Sequence, residues 1–145
     1  MRNRSIILVF ALVFSMTAPS AQSHFESGGI RSGLERSPGD YVAAVIELRG
    51  TITCDEAKTG RLCWSYAFVI DEIASRPASK SPRIVIKIAA GRKTGEQVAG
   101  RAIAFLVPRA GTDVYSGTFM TVYTRAGHER FRRAVETTIG GTRSL

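Results

Sequence analysis

The chain has 145 residues, 44% of them hydrophobic, and 20 basic against 12 acidic residues give it a formal net charge of +8. This length fits one domain of ordinary size, and the modest positive charge favours anionic neighbours without naming one. Two separated histidines, and two cysteines that we expect to be oxidised, are too few ligands for a tetrahedral zinc site built from Cys and His.

The first 21 residues have the three-part layout of a cleavable secretory signal peptide. Arg2 and Arg4 supply a positive start, nine apolar residues follow from 6 to 14, and small residues lead to Ala21. The apolar run is too short for a membrane-spanning helix, which needs about 20 residues. We predict cleavage near Ala21 and hence a periplasmic or secreted protein, with no lipid-attachment cysteine and no integral membrane segment.

Residues 22–40 are rich in Ser, Gly and charged residues and show no hydrophobic period, which predicts a flexible lead-in. The domain proper is expected to span 41–140. Residues 41–53 are dense in β-branched side chains, which favours a strand, and Gly50 predicts a bulge or a sharp bend within it.

Both cysteines, Cys54 and Cys63, lie in the predicted mature chain, whose 18 basic and 12 acidic residues give a net charge of +6. In an oxidising compartment a pair this close in sequence favours a disulfide. The polar segment between them is typical of a hairpin loop. A reactive thiol is the alternative, but the sequence has no C-x-x-C pair and no histidine nearby.

Residues 62–73 match both the strand and the helix period, and their aromatic content favours a strand. Further strands are predicted at 83–88 and 101–108, joined by the glycine-punctuated connection 89–100.

The last elements are predicted from residue 114 onwards. Residues 114–124 fit one bent strand or a tight hairpin with its break at Ser116-Gly117. The spacing of apolar residues over 128–138 predicts a helix that ends at Gly140-Gly141.

Together these elements predict a mainly β fold, a small antiparallel barrel of five or six strands followed by a C-terminal α-helix. Its segments are IELRGTIT, CWSYAFVIDEI, SPRIVIKIAAG and VAGRAIAFLVP. Over residues 41–108 this layout resembles that of exported bacterial OB-fold domains, which are similar to the netrin-like group that includes metalloproteinase inhibitors. Those inhibitors place an N-terminal cysteine at the zinc of the protease. Here the first mature cysteine is Cys54, so the resemblance implies a fold but transfers no functional residue.

Two basic clusters are candidate binding sites. Arg92 and Lys93 lie among the glycines of 89–100, although the spacing is neither that of a P-loop nor that of a dinucleotide-binding loop, so we expect no cofactor. A charged hairpin tip is the simpler interpretation. The second cluster, around the start of the predicted helix, contains Arg125, Arg130, Arg132 and Arg133.

The second cluster follows a strand that carries Tyr115, Phe119 and Tyr123. A basic and aromatic surface of this kind is typical of proteins that bind nucleic acid or anionic glycans. The alternative is that these aromatic side chains fill the barrel and the arginines are solvated.

No catalytic residue is predicted. His128 and Glu129 are adjacent on the predicted helix, where their side chains point about 100° apart, so we expect His128 to be a solvated first-turn residue.

We therefore expect a non-enzymatic exported module that binds an envelope or extracellular macromolecule, a protein or a polyanion, with nucleic acid disfavoured. A secreted effector or inhibitor that docks onto a protein is the first alternative, and a small hydrolase is the second.

Overall fold

The computed structural model describes residues 19–55, 62–76, 82–88, 91–110 and 112–143. Most of the predicted signal peptide and most of the loop between the cysteines lie outside these ranges. The described residues form two helices and six strands: α1 Pro19–Arg36, β1 Tyr41–Thr51, β2 Thr53–Asp55, β3 Leu62–Arg76, β4 Arg83–Ile88, β5 Gln97–Pro108, β6 Val114–Val122 and α2 Arg125–Arg143.

Five of the strands close into a ring of hydrogen bonds, in the order β1-β5-β6-β4-β3 and back to β1, while the short β2 pairs with the start of β3. The mainly β prediction and the C-terminal helix are confirmed. The wholly antiparallel prediction is wrong, because β4 and β6 are parallel. A closed ring of five strands cannot alternate direction at every step, so at least one neighbouring pair has to be parallel.

Strands β1 and β5 are buried on both faces. One set of alternating residues, which includes Val45 and Phe105, packs under the two helices. The other set, which includes Ile46 and Leu106, packs inside the ring. This double burial explains why both strands are nearly continuous apolar runs rather than alternating ones.

Residues 22–40 differ from the predicted flexible lead-in, because they are helical up to Arg36 and α1 packs on the sheet. Ile30 is fully buried in the layer beneath the helices. Gly29 and Gly33 bring the helix backbone close to β5 and β6, and Oγ1 of Thr118 donates a hydrogen bond of 2.8 Å to the carbonyl oxygen of Gly29. The glycines that suggest flexibility in the sequence are therefore contact residues that permit close approach.

The predicted bend at Gly50 coincides with an irregularity between the first strands and β3. Leu48 pairs with Ala67 and Thr53 pairs with Trp64, so residues 49–52 face the two residues 65–66. A Cβ added at Gly50 would lie 3.3 Å from Oγ of Ser65, so a side chain there would crowd the neighbouring strand.

Other boundaries differ from the predicted ones. β5 begins at Gln97, four residues before the predicted start at 101, because residues 97–100 continue the pairing with β1. β6 is one strand that passes through Ser116-Gly117 without a hairpin. α2 continues beyond Gly140-Gly141 to Arg143, and Ile139 in its last turns is buried in the layer beneath the helices.

Two predictions near the cysteines are confirmed. Residues 62–73 lie within the strand β3. Cys54 and Cys63 are cross-strand partners in the β2–β3 pair, with Cα atoms 4.0 Å apart, and form a disulfide. A disulfide is typical of proteins in oxidising compartments. Neither of the described helices is long and apolar enough to cross a membrane.

The docking of α1 can be tested at Gly33. In the Gly33→Ala variant the new Cβ would lie 2.5 Å from Cε1 of Phe105 and 2.7 Å from Oγ1 of Thr118. We expect the free energy of unfolding to fall by about 1–3 kcal/mol, the usual cost of overpacking, as measured by urea titration. Gly28→Ala is the matched control, because nothing lies within 4 Å of its added Cβ. It should stabilise the helix by up to about 1 kcal/mol. Equal stability of the two variants would contradict the packing of α1 described above.

The disulfide spans a sequence separation of 9 residues. On the loop-entropy relation, closing so short a loop stabilises the fold by about 2–3 kcal/mol. The double variant Cys54→Ser/Cys63→Ser should lose that amount in urea titrations. A reductant should lower the stability of the wild-type protein and leave the double variant unchanged; a wild-type curve insensitive to reductant would speak against the bridge.

Candidate functional site

The loop that carries Arg92 and Lys93 is a structured turn beside the disulfide. Gly91 and Gly95 have φ values of 92° and 95°, in the region that favours glycine. The backbone of Ile52 accepts a hydrogen bond of 2.9 Å from the N–H of Gly95 and donates one of 2.7 Å to the carbonyl of Glu96. The carbonyl oxygen of Arg92 lies 3.8 Å and 3.7 Å from the two disulfide sulfurs.

Glu96 organises the charged groups of this loop. Its carboxylate accepts hydrogen bonds from Nε of Arg92, at 2.8 Å, and from the backbone N–H of Lys93, at 2.9 Å. The hydrogen bond from Arg92, followed by the one from Lys93, lowers the pKa of Glu96 below its ordinary value. The guanidinium of Arg92 is therefore held by Glu96, whereas Lys93 is exposed.

The four predicted arginines of α2 have different surroundings. Arg125, Arg132 and Arg133 are exposed, whereas the side chain of Arg130 is 29% exposed and turns towards α1. Its Nε lies 3.7 Å from Oε1 of Glu26. Arg130 therefore contributes to the contact between the two helices, and it does not share an exposed surface with Arg133.

Glu26 is a buried carboxyl group between the helices, 3% exposed. Burial raises the pKa of Glu26 above its ordinary value of 4.5, and the nearby charge of Arg130 opposes that rise. The separation from Arg130 is too long for a hydrogen bond, and Oε1 of Glu26 has no hydrogen-bond partner among the described residues. Oε1 of Glu26 and Nε of Arg130 are thus two buried polar atoms that lie near each other without a hydrogen bond.

The aromatic residues that precede α2 pack against the hydrophobic clusters and do not form an exposed platform. Phe119 is buried and stacks on Phe131 with ring centroids 5.4 Å apart. Tyr115 packs against the cluster inside the ring, where burial raises the pKa of its phenol. Tyr123 packs beneath the helices.

His128 is not the solvated residue expected from its place in the first helical turn. Its side chain is 12% exposed, and its Nε2 lies 3.2 Å from Oδ2 of Asp71 on β3, without hydrogen-bond geometry. The ring of Tyr123 lies 5.9 Å from the imidazole, centroid to centroid. This contact joins the start of α2 to β3.

A second group of aromatic and basic side chains lies on the outside of the ring, on β3 and its neighbours. Large side chains alternate along β3 with the small, buried residues Ser65 and Ala67. Tyr66 and Ile70 are each 46% exposed. We call this surface the aromatic–basic face and define it by Trp64, Tyr66, Phe68 and Ile70 of β3 with Arg49 of β1 and Arg83 and Lys87 of β4.

The cations of the aromatic–basic face lie beside its rings. The guanidinium carbon of Arg83 lies 4.5 Å from the ring centroid of Tyr66, and that of Arg49 lies 4.8 Å from the ring centroid of Phe68. Lys87 is the cross-strand partner of Trp64. Planar surface and positive charge are therefore interleaved on one face, and contacts of this kind hold each guanidinium over its ring.

The sequence contains a signal for this face that the predictions did not use. In the strand pattern of β3 the aromatic residues share one side, and the side opposite carries Cys63, Ser65 and Ala67. The ring interior beside β3 is therefore lined by small side chains and filled from β1, β4 and β5. The larger side chains are consequently left outside.

Within the described ranges, no group of three or more His, Cys, Asp or Glu residues is placed to hold a metal ion. Comparison of the chain with protein-family models, with curated proteins and with solved structures finds no match. The site is therefore interpreted from its own geometry.

The Glu26→Gln variant tests the contact between the helices. The folded protein holds the proton of Glu26 more tightly than the unfolded chain, so the carboxyl favours folding most below pH 4.5 and loses that advantage as the pH rises through its raised pKa. We therefore expect Glu26→Gln to be more stable than the wild-type protein at pH 7 and the difference to shrink towards pH 4.5, in urea titrations at each pH. Glu129→Gln, which alters an exposed carboxylate on α2, is the control and should show no such trend. A destabilised Glu26→Gln at pH 7 would show instead that the ion pair with Arg130 dominates.

Proposed function

We propose that this chain is an exported, non-enzymatic binding module with an OB-like barrel, and that its aromatic–basic face binds an anionic polysaccharide. The ring order β1-β5-β6-β4-β3, with its one parallel pair, supports the OB-like assignment. In OB folds the face formed by the second and third barrel strands binds oligonucleotides and oligosaccharides. In this chain those strands are β3 and β4, which carry most of the aromatic–basic face.

The observation that carries the proposal is the exposed Tyr66 with the guanidinium of Arg83 above its ring. The part of the Tyr66 ring that Arg83 leaves exposed offers a flat apolar surface to a sugar ring, and adjacent guanidinium and ammonium groups pair with carboxylate, sulfate or phosphate substituents. A polymer of charged sugars presents both features repeatedly along an extended strand. The rings of β3 and the cations of β1 and β4 beside them offer both kinds of contact on one face.

Charge balance on the outer surface also favours an anionic ligand. Glu47 of β1 contacts two basic residues of this surface, with Oε1 lying 3.1 Å from Arg49 and Oε2 lying 3.6 Å from Arg101. Arg83 and Lys87 of β4 add two further exposed basic residues. A group of cations of this kind attracts polyanions at low salt and less so at high salt.

The disulfide and the predicted signal peptide support a periplasmic or extracellular location. Anionic glycans are the polyanions of cell envelopes, so we favour them over nucleic acid. Docking onto a protein is the second candidate, because exposed Ile70 extends the apolar part of the same face.

Retention on immobilised heparin, an anionic polysaccharide, tests the proposal. Tyr66→Ser should weaken binding about tenfold, which corresponds to about 1.4 kcal/mol, because it removes the stacking surface. Lys87→Gln should reduce the slope of log affinity against log salt by about 1, because one ion contact is lost.

The control variants are Phe25→Ser, which removes an aromatic residue of α1 that is 63% exposed, and Arg132→Gln, which removes an exposed cation of α2. Both should elute with the wild-type protein. If all four variants elute alike, the aromatic–basic face does not bind the glycan. If single-stranded DNA of equal charge binds more tightly than heparin, the choice of glycan is wrong.

A further inference from the structure

A second candidate site is a cavity of about 210 Å³ inside one end of the ring. Its walls come from the end of β4, the start of β5, the end of β6 and Leu48 of β1. Most of the lining is apolar and includes Ile86, Ile88, Val98, Met120 and Val122. The cavity thus continues the apolar interior of the ring out to the solvent.

The parallel pair of strands explains why this end of the ring is open. β4 and β6 pair at only two positions, Val85 with Val114 and Ile86 with Tyr115. β6 then continues along β5 as far as Val122, whereas β4 ends at Ile88. Beyond their pairing the two strands leave a gap in the wall, and the cavity lies there.

Small residues at the start of β5 keep this space free. Ala99, Gly100 and Ala102 line the cavity and fill little of it. Gly100 has a φ of 128°, a backbone conformation that larger residues rarely adopt. The backbone of the strand therefore favours a residue without a side chain at this position.

Three cations stand among the apolar residues of the lining: Lys87, Arg92 and Arg101. Nε of Arg92 lies 2.8 Å from Oε2 of Glu96, and Nε of Arg101 lies 3.6 Å from Oε2 of Glu47. In the part of the chain that the structure describes, no carboxylate pairs with Lys87. The apolar cavity therefore has a rim with an excess of positive charge.

We propose that this cavity binds the alkyl chain of a monoanionic amphiphile, a medium-chain carboxylate, with its headgroup between Lys87 and Arg101. An apolar cavity of about 150 Å³ takes a benzene ring of six carbons, so about 210 Å³ takes an alkyl chain of about eight. Alkyl chains gain free energy with each methylene that leaves water, and a carboxylate headgroup matches the charge of the rim. A neutral or cationic headgroup would lose that second contribution.

This site is separate from the aromatic–basic face, although Lys87 belongs to both. Ile86 and Ile88 point into the ring, whereas Tyr66 is on the outer side of β3. The proposal does not depend on glycan binding. Tyr66→Ser distinguishes the two, because it should weaken heparin retention and leave amphiphile affinity unchanged.

The test is a calorimetric titration of the full chain with three small probes at pH 7: octanoate, octan-1-ol and butyrate. Octanoate should bind at one site, butyrate at least twentyfold more weakly because it buries four fewer methylenes, and octan-1-ol about fivefold more weakly because it lacks the charge. Equal binding of octanoate and octan-1-ol would overturn the role of the cations. Absence of octanoate binding would overturn the site.

Substitutions test where the headgroup and the alkyl chain bind. Lys87→Gln/Arg101→Gln should reduce octanoate affinity to that of octan-1-ol and leave octan-1-ol unaffected. Arg31→Gln/Arg36→Gln is the matched control, because it removes two positive charges from exposed residues of α1. Met120→Trp should abolish binding of both probes by filling the cavity. If Met120→Trp does not fold, Lys87→Gln/Arg101→Gln still tests the site, because it changes two exposed residues. Unchanged octanoate affinity in Lys87→Gln/Arg101→Gln would contradict the proposed headgroup site.

Discussion

The structure depends on β1, a strand that is hydrogen-bonded along both edges and buried on both faces. One edge pairs with β3 and the other with β5, so β1 is the point at which the ring closes. Its residues alternate between the layer beneath the helices and the interior of the ring. A disturbance of β1 would therefore reach both clusters, because its side chains contribute to each of them.

Closure at β1 also decides which surfaces are left for ligands. The helices cover the outer sides of β1, β5 and β6, where Val45, Phe105 and Phe119 pack against α1 and α2. The outer side of β3 around Tyr66 remains exposed. The single parallel pair that an odd-numbered ring requires is short, and it opens the end of the interior beside Ile88. Both candidate sites thus follow from the ring and its covering helices.

Strands and the disulfide could be predicted from the sequence because their signals are local. Alternation of apolar residues identifies β4, and the short polar segment between Cys54 and Cys63 in the sequence identifies the bridge. α1 could not be predicted in this way, because its helix is stabilised by docking and its glycines serve close contact. The helix propensity of a segment does not indicate which other elements it will pack against.

The candidate site residues were also hard to predict where their surroundings depend on residues that are distant in sequence. Arg130 has the spacing of a surface residue, and its partner Glu26 lies far away in sequence, so the buried contact was not visible. The aromatic residues of β3 look like core residues because exposed rings are uncommon on strands. Which side of a strand faces the interior depends on the volume available there, and that volume is set by residues of other strands.

The irregular pairing of β1 with β3 explains why the surroundings of β3 change along its length. The register shifts between Ala43 and Ala44 and again between Val45 and Ile46, and such irregularities bend and twist a strand. β3 consequently changes its neighbours along its length. It begins at the disulfide, carries the aromatic–basic face on its outer side between Trp64 and Ile70, and near its end places Ile73 and Ala74 beneath the helices. A straight β3 would keep one side exposed and one side buried throughout. The bend limits the exposed aromatic surface to the middle of the strand, where the cations of β1 and β4 flank it.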